Sequence, residues 1–441
     1  MSGTGIAVLG FAAMLLLIAL RMPVGLAMLV TGSGGYVYLS GWLPFVAYMK
    51  TNPYYQFANY TLSVIPLFIL MGALAERSGL SARLFKAAAA FVGHLRGGLA
   101  MAVIAACTAF GAICGSSVAT TATFGRATFP ELRRYDYEGG FATGTIAVGG
   151  TLGILIPPSV ILVVYAIATE QNIAKLFKAA LIPGLMAAVF YCLAIAWIVR
   201  RRPSAAPTAA SAEQGLRDRL ALLAGVWPVL VVALVVVGGI YGGVFTPTEA
   251  AAVGAIAMLA IGLAQRTLGW REIVDSLKQS AETSAMIFLI LLGSEVFNAF
   301  LARSQFPTIA AEWAGGLGLP PYVVMVSLLT LYILLGAVMD ELAMLLLTLP
   351  VFFPIVQGLD FGLPSDETAI WFGILVLITV GIGLTAPPIG LNVFVISSIA
   401  RSVPIAATYR GVLPFIFTDI VRLGLLVAFP GLALWLVRLL S

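Results

Sequence analysis

Charged side chains are scarce in this sequence. Lys, Arg, Asp and Glu make up 10% of the 441 residues, whereas 61% are hydrophobic. A soluble domain carries about 25% charged residues. A chain with so few charges cannot bury its apolar surface inside a water-soluble globule, and the composition therefore predicts a protein that crosses a membrane several times.

Histidine and cysteine are also rare. His94 is the only histidine, which excludes a zinc site built from several histidines. The three cysteines lie in apolar runs and are expected to be small core residues rather than disulfides or metal ligands. No run of Lys or Arg resembles a nucleic-acid-binding arm, and the net charge of +5 fits the positive bias of cytoplasmic loops.

Long apolar runs dominate the rest of the chain, and a membrane-spanning helix needs about 20 such residues. A polar, Pro- and Ala-rich stretch at 200–218 is expected to be a cytoplasmic linker. Two apolar stretches, 98–131 and 322–357, are interrupted near the middle and are interpreted as re-entrant hairpins. The candidate spans are about 5–20, 22–40, 61–76, 140–168, 179–199, 219–243, 248–266, 281–301, 369–399 and 411–437.

The two halves of the chain repeat the same landmarks. Gly115 and Gly336, and the proline doublets at 157–158 and 387–388, recur about 220 to 230 residues apart. The loop "ELRRYDYEGG" after the first interrupted stretch carries two arginines, whereas the corresponding "QGLDFGLPSDET" carries no Lys or Arg. The positive-inside rule therefore places these loops on opposite faces, and the repeats are predicted to be inverted.

These patterns predict an all-α integral membrane protein with inverted structural repeats, about ten transmembrane helices and two re-entrant hairpins. The expected parts are scaffold helices at 1–60 and 219–280, a first repeat at 61–199 with hairpin 98–131 and broken helix 140–168, the linker 200–218, and a second repeat at 281–441 with hairpin 322–357 and broken helix 369–399.

Four interruptions carry the functional signal: "GAICGSSVATTAT", "GGTLGILIPPS", "GAVMDELAM" and "GIGLTAPPIGLN". Irregular backbone at membrane depth is tolerated only where protein buries it or where it lines a wet cavity. The freed carbonyls suit Na⁺ and the freed amides suit a carboxylate, so paired interruptions indicate a transporter site.

Each interruption also has a simpler interpretation. Ser116 or Ser117 can be a plain helix cap, and a proline doublet can be a packing kink. Asp340 can cap a helix at the water interface, and Arg126 can pair with Glu131 along its own helix.

The motifs resemble those of the large membrane subunit of a TRAP (tripartite ATP-independent periplasmic) transporter of the DctM type. The resemblance is most specific in "GSSVATTATFGRATFPELRRYDYEGGFATGTIAVGGTLGILIPPS", "MDELAMLLLTLPVFFPI" and "GLTAPPIGLNVFVI". It implies an elevator-type transporter of the bacterial inner membrane, with Na⁺ as coupling ion and a small organic acid, such as a dicarboxylate, as substrate. The implied partners are a small four-helix membrane subunit and a periplasmic solute-binding protein.

The resemblance also implies site residues. One Na⁺ site is expected to contain Gly115, Ser116, Gly150 and the carbonyl of Ile156, and the other Asp340, Gly383, Thr385 and Ala386. The substrate is expected to contact Ser116, Ser117, Arg126, Thr151 and Asn392.

Three other classes of function are considered at this point. A stand-alone Na⁺/carboxylate symporter would need no binding protein. A membrane-embedded enzyme is disfavoured because the sequence has no HExxH motif and no second histidine. A channel is disfavoured because nothing resembles a selectivity filter.

Overall fold

A computed structural model describes residues 2–207 and 216–440. Within these ranges the chain forms 21 α-helices and two short 3-10 segments, with no β-strand. The predicted all-α class is therefore confirmed for the described residues. The central part of the predicted linker, residues 208–215, lies outside them.

The first half contains ten helices. They are α1 Gly3–Ala19, α2 Val24–Ser40, α3 Trp42–Phe57, α4 Val64–Arg77, α5 Leu80–Val92, α6 Gly98–Cys114, α7 Ser117–Arg134, α8 Gly139–Leu155, α9 Val160–Ala168 and α10 Ile173–Arg201. The 3-10 segments are Tyr60–Ser63, before α4, and Pro203–Ala205, after α10.

The second half contains eleven helices. They are α11 Leu216–Ala224, α12 Trp227–Tyr241, α13 Pro247–Ala264, α14 Trp270–Ser304, α15 Phe306–Gly316, α16 Pro321–Gly336, α17 Glu341–Gln357, α18 Ser365–Gly383, α19 Leu391–Ile399, α20 Ile405–Ala428 and α21 Gly431–Leu439.

Six of the described helices are long and apolar enough to cross a membrane, and α8 with α9 make a seventh if this pair, bent by 45°, is one span. The number of spans, the inversion of the repeats and the division into scaffold and transport parts stay predictions. The stretch 219–243, predicted as one span, is divided between α11 and α12. Pro228 lies in the first turn of α12, where its missing amide proton leaves no hydrogen bond unmade.

Two helices at corresponding positions of the halves form the centre of the molecule. Helix α8 buries every residue from Gly140 to Leu155, and α18 buries every residue from Thr368 to Gly383. Helices α6, α7 and α20 pack on α8, while α16, α17 and α20 pack on α18. A helix that is apolar on all sides lies either in a protein core or in lipid, and these contacts place α8 and α18 in the core.

A buried ion pair lies behind the central helices. Arg422 Nη2 is 2.8 Å from Asp419 Oδ1, both on α20, and the two side chains are only 1% and 3% exposed. The Arg422 guanidinium also donates to the Pro183 carbonyl, and the Tyr191 hydroxyl donates to Asp419 Oδ2 at 2.7 Å. These contacts join α20 to α10.

We expect Arg422→Met to lower the free energy of unfolding by about 3–5 kcal/mol, because it leaves the Asp419 carboxylate buried without its cation. The matched control is Arg438→Met. Arg438 pairs with Glu367, but at 51% and 22% exposure, and such a pair contributes about 0–1 kcal/mol. Thermal unfolding of the purified variants measures both, and equal losses would contradict the prediction.

Candidate functional site

The first interruption is a sharp turn between α6 and α7. Gly115 ends α6 with φ +63°, a left-handed conformation that glycine adopts at little cost. Ser116 then caps α7, its hydroxyl accepting from the Ala119 amide at 3.4 Å, while its carbonyl accepts from the Thr120 hydroxyl at 2.7 Å. The simpler interpretation of Ser116 as a helix cap therefore describes its side chain in this structure.

This turn lies directly on the break between α8 and α9. A β-carbon built on Gly115 would be 3.1 Å from the Pro158 carbonyl oxygen. A β-carbon on Gly150 would lie 1.8 Å from Thr121 Oγ1, and one on Gly153 would lie 2.6 Å from the Ser116 carbonyl oxygen. The glycines of α8 thus let the backbone and hydroxyls of α7 approach the broken helix.

Ile156 occupies the end of α8. Its backbone is extended, with φ −89° and ψ 122°, so the chain leaves the helix immediately before the proline doublet. The side chain is 4% exposed and lies beside Gly184 of α10. The break is therefore enclosed by α10 on the side away from the first turn.

Three buried oxygens around this break have no hydrogen-bond partner among the described residues: Thr121 Oγ1, Ser159 Oγ and Asn392 Oδ1. Buried polar atoms of native proteins are nearly always paired, and an unpaired one often marks a place where an ion or a water molecule binds. Hydroxyl, amide and carbonyl oxygens are the ligands that hard cations prefer. The unpaired oxygens at the first break are therefore of the chemical type that a hard cation such as Na⁺ takes as ligands.

Asn392 belongs to the second half of the chain but lies against the first turn. Its Nδ2 donates to Ser117 Oγ at 2.7 Å and to the Ala147 carbonyl at 3.0 Å. The Asn392 side chain therefore joins the second broken helix to the first turn.

Thr151 points away from the turn residues. Its hydroxyl donates to the Val148 carbonyl at 2.7 Å and lies 3.1 Å from the Tyr191 hydroxyl, which is bound to Asp419. Sequence reasoning did not identify this network. The signal was present as two opposite charges three positions apart, Asp419 and Arg422, within an apolar run.

The second turn lies between α16 and α17 and is held against the second break. The Ala337 carbonyl accepts from the amides of Ile389 at 3.1 Å and Gly390 at 3.4 Å. A β-carbon on Gly383 would lie 2.6 Å from the Gly336 carbonyl carbon, so α16 and α18 pack backbone to backbone.

The predicted ligands of the second site have different surroundings. Asp340 caps α17, its Oδ1 accepting from the amides of Leu342 at 3.1 Å and Ala343 at 3.3 Å. Thr385 is buried, with its hydroxyl donating to the Ile382 carbonyl at 3.0 Å. Ala386 donates its amide to the same carbonyl at 2.8 Å. Asp340 is therefore a helix cap, as in the simpler interpretation, and it also places a carboxylate at the second turn.

Both turns open into one cavity of about 410 Å³. Of the predicted residues, Gly115, Ser116, Arg126 and Asp340 line this cavity. The other predicted residues are not among its lining: Ser117, Gly150, Thr151, Ile156, Gly383, Thr385, Ala386 and Asn392.

Glu341 also lines the cavity, although sequence reasoning gave it no role. It is 9% exposed, and its Oε2 has no hydrogen-bond partner within the described part of the chain. Its position beside Asp340 in an otherwise apolar segment was the available signal.

Arg126 does not pair with Glu131, and that interpretation was wrong. Its Nη2 lies 2.7 Å from Glu76 Oε1 of α4, whereas Glu131 lies 3.8 Å from Arg134. Glu76 is 50 positions away in the sequence, so helical spacing gave no indication of the contact.

The sequence matches the family model described as "Tripartite ATP-independent periplasmic transporter, DctM component" over residues 11–432. The C4-dicarboxylate TRAP transporter large permease protein DctM of Pseudomonas aeruginosa is 36% identical, with 85% of this chain and 86% of the relative covered. The sialic acid large permease SiaM of Vibrio cholerae is 32% identical (86% and 87% covered), and the ectoine large permease TeaC of Halomonas elongata is 33% identical (85% and 86% covered).

The fold is similar to a solved structure, the YdaH transporter of Alcanivorax borkumensis, with a TM-score of 0.62 at 16% identity and coverage of 88% of this chain and 89% of that one. The sequence relatives are named as transporter permeases rather than enzymes. The family match and these relatives show that the chain is a multi-pass membrane protein belonging to the DctM family of TRAP transporter large permeases.

Proposed function

We propose that the chain couples the entry of Na⁺ to the uptake of a small organic anion across the bacterial inner membrane. A small four-helix membrane subunit and a periplasmic solute-binding protein complete the transporter, and a transport domain moves against a scaffold in an elevator-like cycle. The observation that carries this proposal is the common cavity of the two turns, lined by Ser116 and Asp340.

Anion binding is supported by the direction of two helices. Ser116 and Asp340 are the N-caps of α7 and α17, so two helix N-termini, one from each half, begin at the cavity. The N-terminal end of a helix carries partial positive charge, which suits a carboxylate. The relatives named for C4-dicarboxylate and sialic acid favour a carboxylate substrate.

Coupling to cations is supported by the charges of the cavity. Its lining contains three carboxylates, Glu76, Asp340 and Glu341, and one guanidinium, Arg126. Two like charges 4 Å apart repel by about 4 kcal/mol at an effective dielectric constant of 20. An anionic substrate therefore enters at low cost only after cations or protons have offset these carboxylates, and the unpaired oxygens at the first break offer a place for one cation.

The proposed partners are supported by the family description, which names a tripartite transporter.

We expect vesicles to show Na⁺-dependent uptake of labelled succinate or sialic acid only when the small subunit and the cognate binding protein are both supplied. Robust uptake by this chain alone would identify a stand-alone symporter instead.

Asp340→Asn should raise the Na⁺ concentration that gives half-maximal uptake by several-fold, while the protein stays folded. Asparagine caps a helix about as well as aspartate, so the substitution removes the charge and keeps the cap. The control is Asp366→Asn, which changes an exposed aspartate in the first turn of α18. Unchanged Na⁺ activation in Asp340→Asn would remove this carboxylate from the ion site.

Gly150→Ala should abolish Na⁺-dependent uptake, because the new methyl would lie 1.8 Å from Thr121 Oγ1 and push α7 away from the first break. Gly424→Ala is the control, since nothing lies within 4 Å of a β-carbon at that helical position. Alanine favours a helix over glycine by about 1 kcal/mol, so this control should be at least as stable as the native chain. Normal uptake by folded Gly150→Ala would argue against an ion site at this break.

A further inference from the structure

The ion pair between Glu76 and Arg126 lies in the wall of the cavity that contains both turns. Arg126 is the only basic residue among the described residues that line it. Its Nη2 is 2.7 Å from Glu76 Oε1. The cavity therefore presents a guanidinium whose charge is already matched by a carboxylate of the protein.

The pair joins two different helices. Glu76 is in the last turn of α4, which packs on α13, α14 and α6, whereas Arg126 is in the middle of α7, the helix that begins at the first turn. Helix α4 also lies close to the turn, since a β-carbon on Gly72 would be 2.8 Å from the Cys114 carbonyl oxygen. If Arg126 bound a different carboxylate, the contact between α4 and α7, the helix that Ser116 caps, would therefore change.

The pair is accessible enough to exchange. The Arg126 side chain is 59% exposed and that of Glu76 is 17% exposed. An ion pair with so exposed a guanidinium adds little to stability, because water competes well for the Arg126 charge. A carboxylate that enters the cavity is chemically equivalent to the Glu76 carboxylate and can form the same kind of charge-assisted contact with the guanidinium.

We propose that Glu76 is an internal competitor for the substrate anion. In the empty transporter it holds the Arg126 guanidinium, and an incoming carboxylate displaces it and releases α4 from α7. This inference rests on the proposed function, since it requires an anionic substrate in the cavity. It adds a specificity rule: a ligand that cannot displace a carboxylate from a guanidinium leaves the contact between α4 and α7 intact.

Arginine-specific labelling tests the competition directly. The full chain, reconstituted with its small subunit in Na⁺ buffer, is treated with 4-hydroxyphenylglyoxal, and the modification rate of Arg126 is measured by peptide mass spectrometry. Glu76→Gln should raise the rate about threefold to fivefold, the change expected when an exposed ion pair is lost. The matched control Glu131→Gln removes a carboxylate from the same helix as Arg126 and should leave the rate unchanged.

Succinate is the competing probe. It should slow the labelling of Arg126, and half-maximal protection should need several-fold less succinate in Glu76→Gln than in the native chain. If Glu76→Gln fails to fold, Glu76→Asp, whose carboxylate is one methylene shorter, should shift protection in the same direction. Equal succinate requirements in the native chain and the variant, or no protection in either, would overturn the proposal.

The labelling result is distinguishable from the uptake result. Labelling measures whether a carboxylate is bound to the Arg126 guanidinium and needs no transport, whereas Na⁺-dependent uptake tests the proposed function. Normal coupled uptake without a shift in succinate protection would reject the role of Glu76 and leave the proposed function in place.

Discussion

The structure depends on one constraint, which is that backbone groups freed by a broken helix must be satisfied inside the protein when lipid surrounds it. Each of the two breaks is covered by a turn from its own half of the chain. At the first break Gly115 lies close to the Pro158 carbonyl, and at the second the Ala337 carbonyl accepts from the amides of Ile389 and Gly390. The four interruptions thus become two turn-and-break pairs, and this pairing brings two helix N-termini to one cavity.

The first turn and the first break can approach closely because α8 has glycines on the side facing α7 and a hydrogen-bonded network on its other side. The backbone of α8 meets α7 at Gly150 and Gly153, where any side chain would collide. On the opposite side, Thr151 contacts Tyr191, which is bound to the buried Asp419. The broken helix is therefore held from behind by a charged network and contacted in front by hydroxyls and carbonyls. Such an arrangement suits a cation site, because ligand oxygens bind well only when their supports keep them in place.

The sequence was most informative where the structure depends on local chemistry. Gly115 and the proline doublets are local signals for the end of a helix, so the turns and breaks could be located, and the two halves could be matched by their repeated order. Contacts between distant segments could not be found in this way. Asn392 reaches Ser117 across 275 positions, and Arg126 pairs with Glu76 rather than the nearby Glu131. Helical periodicity describes one helix at a time, and the neighbours of a side chain follow only from how helices pack.

The similarity to the YdaH transporter at 16% identity concerns the fold alone, so the chemistry of transport must come from the cavity. Its lining combines helix N-termini, which favour anions, with an excess of carboxylates, which repel them. These opposite tendencies are compatible when a cation or a proton offsets the carboxylates, and the proposed Na⁺ ions would do so. Because Asp340 already accepts two backbone amides while Glu341 Oε2 has no partner in the described structure, the two acids differ in what a cation offers them. In the proposed cycle a cation at Glu341 would give a partner to a buried oxygen that has none in the described structure, and its binding would then be tied most closely to the charge balance that admits the substrate.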